Sequence, residues 1–78
     1  MVGVTGDNQQ FNKVAGKWYG VYVDGDGYVA GKCKTANSVS AVYKFEDGTS
    51  AEVSDSKVYV GPEDKAIDVW FALKRKFG

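Results

Sequence analysis

The sequence predicts a mainly β domain: a small five-stranded antiparallel barrel or strongly bent sheet, followed by a C-terminal helix. Three observations carry this. The aliphatic residues are twelve Val against one Leu and one Ile, and Val is stiff at χ1 and packs well on pleated surfaces, whereas Leu fills helices. Five Tyr, four Phe, two Trp and ten Gly add strand formers and turn formers. Acidic glycine turns, Asp24-Gly25-Asp26-Gly27 and Asp47-Gly48, separate segments in which apolar and polar residues alternate.

The first strand runs over 17–23, with Trp18, Gly20 and Tyr22 on one face and Tyr19, Val21 and Val23 on the other. Turn 24–27 leads into a second strand over 28–35, where Val29 and Cys33 oppose Lys32 and Lys34. Ala36-Asn37-Ser38 turns the chain into a third strand over 39–46, in which Val39, Ala41, Tyr43 and Phe45 share a face. After Asp47-Gly48 come a short fourth strand over 49–53, a turn at 54–56 that suits one 3₁₀ turn, and a fifth strand over 57–60. The expected core is Val21, Val29, Val42 or Tyr43, Val53 and Val58, with Trp70 closing one side.

Two patterns compete after Gly61. Ile67, Val69, Phe71 and Leu73 alternate as in a sixth strand. A helix over 62–77 is the preferred reading. Pro62 would stand at its first position, Glu63 and Asp64 in its first turn and Lys74 to Lys76 in its last, as the helix dipole favours. Ala66, Trp70, Leu73 and Phe77 would then form one stripe. Residues 1–12 carry no sustained period and read as a flexible arm, leaving 13–78 as a single domain.

Composition excludes several functions. The chain has no histidine, which removes Ser-His and Cys-His nucleophilic pairs, imidazole catalysis and ordinary zinc sites. Its one cysteine, Cys33, permits neither an intrachain disulfide nor a thiolate cluster. A small secreted domain usually needs disulfides, so an intracellular setting is expected. The first ten residues have no basic or apolar leader region, and no apolar run approaches the ~20 residues of a membrane span, so no membrane partner is expected. Ten acidic and ten basic residues give zero net charge, which argues against nucleic-acid binding by bulk electrostatics.

Motifs that look like chemistry are weak. Gly25-Asp26-Gly27-Tyr28-Val29-Ala30 fits a dinucleotide-binding glycine pattern on paper, but a strand follows it where a helix is required. Asp24 and Asp26 begin like a calcium-binding loop, but Tyr28, Val29 and Thr35 stand where later ligands, a glycine and the bidentate Glu belong. No metal or cofactor is expected. Cys33 lies mid-strand on the Val29 face and reads as a small core residue, because no histidine can activate it. Asp47 and Glu52 flank one hairpin but form no evident acid–base pair, so no enzyme activity is expected.

One constellation is more specific. The acidic turn followed by Tyr28, in DGDGYVAGKC, the strand ending VYKFEDGTSAEV and the closing SDSKVYV stand in an order that resembles a Tudor-like domain of the SH3-like barrel class, over residues 21–60. Lys17-Trp18-Tyr19 is similar to a Trp-Tyr pair of the same superfamily. The resemblance implies an aromatic cage for a methylated ammonium, held by cation–π attraction worth about 0.5–2 kcal/mol per well-placed ring. It also implies a nuclear location. Carried over position by position, the cage is Tyr22, Tyr28 and Phe45, with Asp47 as its acidic rim, and Ala51 leaves it open where some members have another aromatic. Each residue has a plainer reading: Tyr22 and Tyr28 as a cross-strand pair, Phe45 as core, Asp47 as a turn cap. The C-terminal Trp70, Phe71 and Phe77 would pack on the sheet or cover the ligand site.

The leading expectation is therefore a non-enzymatic recognition module that binds a peptide, methylated in the form the resemblance implies, through Tyr22, Tyr28, Phe45 and Asp47. A protein-interaction or inhibitor protein using its barrel surface would instead present an apolar patch or an open sheet edge. A weak nucleic-acid binder would gather Lys32, Lys34 and the Lys74–Lys76 run on one face.

Overall fold

The fold is a computed structural model that describes residues 13–78; the arm expected over 1–12 lies outside the described residues. The alternating segments form β1 (Trp18–Val23), β2 (Gly27–Ala36), β3 (Ser40–Phe45), β4 (Ser50–Ser54) and β5 (Val58–Glu63), with a 3₁₀ turn at Asp55–Lys57 before β5 and a helix α1 (Ala66–Phe77) after it. All pairings are antiparallel, in the order β4-β3-β2-β1-β5. β4 and β5 remain the two edges, so the sheet does not close into a barrel.

The sheet is strongly curled. Val53 of one edge strand and Val58 of the other belong to a single buried cluster with Tyr19, Val21, Cys33, Ala41 and Tyr43. Bulges produce part of the bend. Cys33 faces Tyr43 and Thr35 faces Val42, so β2 carries one residue more than β3 across that step. Likewise Val21 faces Val58 and Gly20 faces Val60, which makes Tyr59 an extra residue in β5. That bulge breaks the two-residue period, and Val58 and Val60 consequently enter different cores. The start of the domain is pinned to this framework by Lys13, whose Nζ pairs with Asp55 Oδ2 at 2.8 Å.

The second core lies between the sheet and α1 and contains Ala30, Val60, Val69 and Leu73. Gly20 permits this approach. A Cβ there would stand 2.9 Å from Val60 Cβ and 3.0 Å from Leu73 Cδ2, closer than packed carbons tolerate.

Residues 66–77 are helical, as the preferred sequence reading holds, but the helix is shorter than the expected 62–77. Pro62 and Glu63 complete β5 instead, and Glu63 pairs with Trp18. The capping logic misled here because proline also fits an edge strand, where no ladder donor is needed. The alternating quartet is split by the helical turn: Val69 and Leu73 are buried, while Ile67 and Phe71 face out at 53% and 56% exposure. In the core, Val21, Tyr43, Val53 and Val58 are buried as expected, whereas Val29 and Val42 are only half-buried. Trp70 does not seal the core. It is 38% exposed and serves a cleft.

Candidate functional site

Three concavities surround the expected cage positions. The first is an acidic cleft of about 300 Å³ between the β1–β2 turn, the β3–β4 hairpin and α1. The alternation of β3 turns Phe45 to the inner face, where it packs against the first core over Gly31. A Cβ on Gly31 would come within 3.0 Å of the Phe45 ring, so the bare glycine lets that ring pack close against β2. Trp70 forms another wall of the cleft. It projects from α1 and donates from indole Nε1 to Glu46 Oε1 at 2.7 Å, tying the helix to the end of β3. Asp26, Glu46 and Asp47 add three carboxylates to the lining, which contains no basic residue.

Asp47 has a local task as well. Its Oδ1 accepts from the Thr49 backbone N–H at 2.9 Å and from Thr49 Oγ1 at 2.6 Å, which caps the β3–β4 turn. The Thr49 hydroxyl and amide hold its carboxyl below the usual carboxylate range. The group thus stays ionised at neutral pH and lends the cleft a fixed negative charge.

Tyr22 and Tyr28 lie elsewhere. They face each other across β1 and β2, with ring centroids 5.2 Å apart in an edge arrangement. Tyr28 also meets Tyr59 edge-on at 5.4 Å and stacks on Phe77 at 4.0 Å, so α1 covers one of its faces. Tyr22 lines a second concavity that includes Ala51 and Glu52, and Lys57 Nζ sits 6.0 Å from the Tyr22 ring centroid. The chain's own cation thereby occupies one side of Tyr22. The third concavity, about 390 Å³, is an apolar groove between Tyr28, Trp70, Leu73 and Phe77, with Lys74 at its margin.

The four expected residues are thus divided. Phe45 and Asp47 share the acidic cleft, Tyr28 borders the apolar groove, and Tyr22 borders the second concavity. Among the described residues, no ring contact joins Phe45 to Tyr22 or Tyr28. Sequence reasoning missed Asp26, Glu46 and Trp70 as cleft residues. The acidic pairing of Glu46 with Asp47 is visible in the chain, but the arrival of Trp70 beside it depends on how α1 packs.

The described residues hold no group of three or more His, Cys, Asp or Glu side chains arranged to bind a metal ion. Asp24, one of the two acids resembling a calcium loop, lies 3.5 Å from Lys57. Cys33 is 1% exposed, and burial pushes its thiol up from the ordinary range, which leaves it protonated. No described helix is long and apolar enough to cross a membrane. What the cleft offers a ligand is aromatic surface and negative charge. No protein-family model matches the chain, and neither a curated protein nor a solved structure matches it at a significant level.

Proposed function

We propose that this protein is a non-enzymatic recognition module that binds a cationic side chain of a peptide in the acidic cleft, between Phe45 and Trp70. The observation that carries the reading is the composition of the cleft: two aromatic rings and three carboxylates, with no basic residue. A methylated ammonium is weakly hydrated and is attracted by the negative faces of aromatic rings, so such a lining favours it over a neutral side chain. The Tudor-like resemblance supports the same ligand class, methyl-lysine, and with it an intracellular, nuclear role. Phe45 and Asp47 are the two members of the sequence-derived set that serve this reading directly.

Calorimetric titration with short peptides carrying trimethyllysine, lysine or glutamine at one position tests it. Trimethyllysine should bind most tightly and glutamine not at all. Phe45→Ala should weaken binding by about 1–2 kcal/mol, since it removes one ring face from the cation. Asp47→Asn should weaken it more at low salt than at high, because an exposed charge is screened. Equal binding of the glutamine peptide would overturn the proposal.

A second reading, a protein-interaction surface, draws on Ile67 and Phe71, which lie one helical turn apart on α1 and are both more than half exposed. A folded partner that tolerates Phe45→Ala but is lost with Phe71→Ser would favour it.

A further inference from the structure

The acidic cleft and the apolar groove have one residue in common: Trp70 borders both. Trp70 shares the cleft with Asp26, Glu46 and Asp47, and the groove with Tyr28, Leu73 and Phe77. The groove is almost wholly apolar, with Lys74 and Gly78 completing its lining. Its form does not depend on a ligand's arrival, because Tyr28 and Phe77 are already stacked at 4.0 Å and Leu73 is buried beneath. Trp70 is held between the two by its hydrogen bond to Glu46. An acidic cleft and an apolar groove therefore adjoin at Trp70.

We infer that the ligand is bipartite: a peptide whose cationic side chain enters the acidic cleft while a large apolar side chain two residues away fills the groove beyond Trp70. The inference rests on the cation-binding reading and specifies its peptide class. Side chains that enter neighbouring hollows of one surface come from the same face of an extended peptide. In an extended chain these are residues i and i+2, roughly 6.5–7 Å apart. Burial of the apolar side chain supplies the non-directional part of the affinity, and the cation supplies selectivity. Phe77 and Trp70 are 44% and 38% exposed, which leaves both accessible to such a peptide.

The test uses the full chain and four peptides that share flanking residues: trimethyllysine-Gly-Phe, trimethyllysine-Gly-Ala, trimethyllysine-Phe-Gly and Gln-Gly-Phe. Affinities are read by calorimetry. The first peptide should bind about tenfold more tightly than the second and third, and the fourth should show no binding. Phe77→Ala should abolish the preference for Phe over Ala. The cooperative unfolding of that variant, followed by circular dichroism, checks that it is folded. Phe45→Ala should weaken all trimethyllysine peptides alike. If the first three peptides bind equally and all depend on Phe45, the bipartite inference is overturned and the cation reading stands. If Gln-Gly-Phe binds as well as trimethyllysine-Gly-Phe, or if no peptide binds, both are overturned.

Discussion

Tyr43 shows how a single residue in so small a core sets pH behaviour. It is fully buried at the centre of the curled sheet, 5.7 Å from the Tyr19 ring, and its hydroxyl has no hydrogen-bond partner among the described residues. An unpartnered buried hydroxyl contributes little, so Tyr43→Phe is expected to change stability by less than about 1 kcal/mol, or to raise it. Urea titration measures this. Burial raises the Tyr43 and Tyr19 hydroxyls and the Cys33 thiol above their ordinary values. The folded state therefore holds protons that the unfolded state releases, and stability is full below the unfolded pKa values and falls as pH rises through and above them. The urea midpoint should decline from about pH 9 upward, the range where free thiols and phenols ionise. Tyr43→Phe should make that decline shallower. An equally steep decline in the variant would show that other groups control alkaline unfolding.

Cys33 and Trp70 carry contrasting expectations at the same scale. Cys33 is sealed in the first core, so it should resist thiol-reactive reagents in the native protein and react on unfolding. Trp70→Ala should cost less than the ~3–5 kcal/mol of a fully buried ring, because much of the indole already meets solvent. Its larger effect should fall on ligand affinity.

At the scale of elements, the decisive contact is α1 on the sheet. Its apolar contribution is small, chiefly Val69 and Leu73 against Ala30 and Val60, and it works only because Gly20 leaves room. Gly20→Ala should therefore destabilise the domain by about 1–3 kcal/mol through overpacking. Leu73→Ala should cost about 2–5 kcal/mol through the cavity it leaves. Both are read from denaturant midpoints, and Gly20→Ala with unchanged stability would mean the helix sits farther from β1. The helix is also charged to suit its ends, with Asp68 in the first turn and Lys74, Arg75 and Lys76 in the last. That basic run has a structural reason to exist apart from any nucleic acid.

For the whole molecule, zero net charge conceals a separation of charge: three acids line the cleft while three basic residues end the helix. Binding of a cationic peptide should weaken moderately with salt, and Lys76→Gln should leave it unchanged. A ligand whose affinity instead collapses with salt and depends on Lys74, Arg75 and Lys76 would be a nucleic acid held by phosphate contacts. A titration from 50 to 200 mM salt, roughly the range over which phosphate contacts lose most of their affinity, separates the two.

The sequence by itself determined the strands, their order along the chain and the positions of the turns between β1 and β2, β2 and β3, and β3 and β4. Valine alternation and acidic glycine turns are local signals, and a two-residue period assigns each side chain to a face wherever the ladder is regular. It determined the helix less sharply, because the same apolar residues satisfied both periods and Pro62 suited a strand edge as well as a helix start. Tertiary structure decided the rest. The bulge at Tyr59 sends Val58 and Val60 into separate cores, and no local pattern marks an extra residue that is defined only against its partner strand. The same holds for the site. Tyr22 opposite Tyr28 follows from a hairpin register, which is local, and the sequence anticipated that pairing as its plainer reading. Whether Phe45 joins them depends on how far the sheet curls and on what covers it. The curl and α1 instead bring Phe45 together with Trp70, 25 positions along the chain, and stack Phe77 on Tyr28. Contacts between distant segments are selected by the packing of the whole apolar surface, so the residues that would face a ligand together emerge only when the chain is folded.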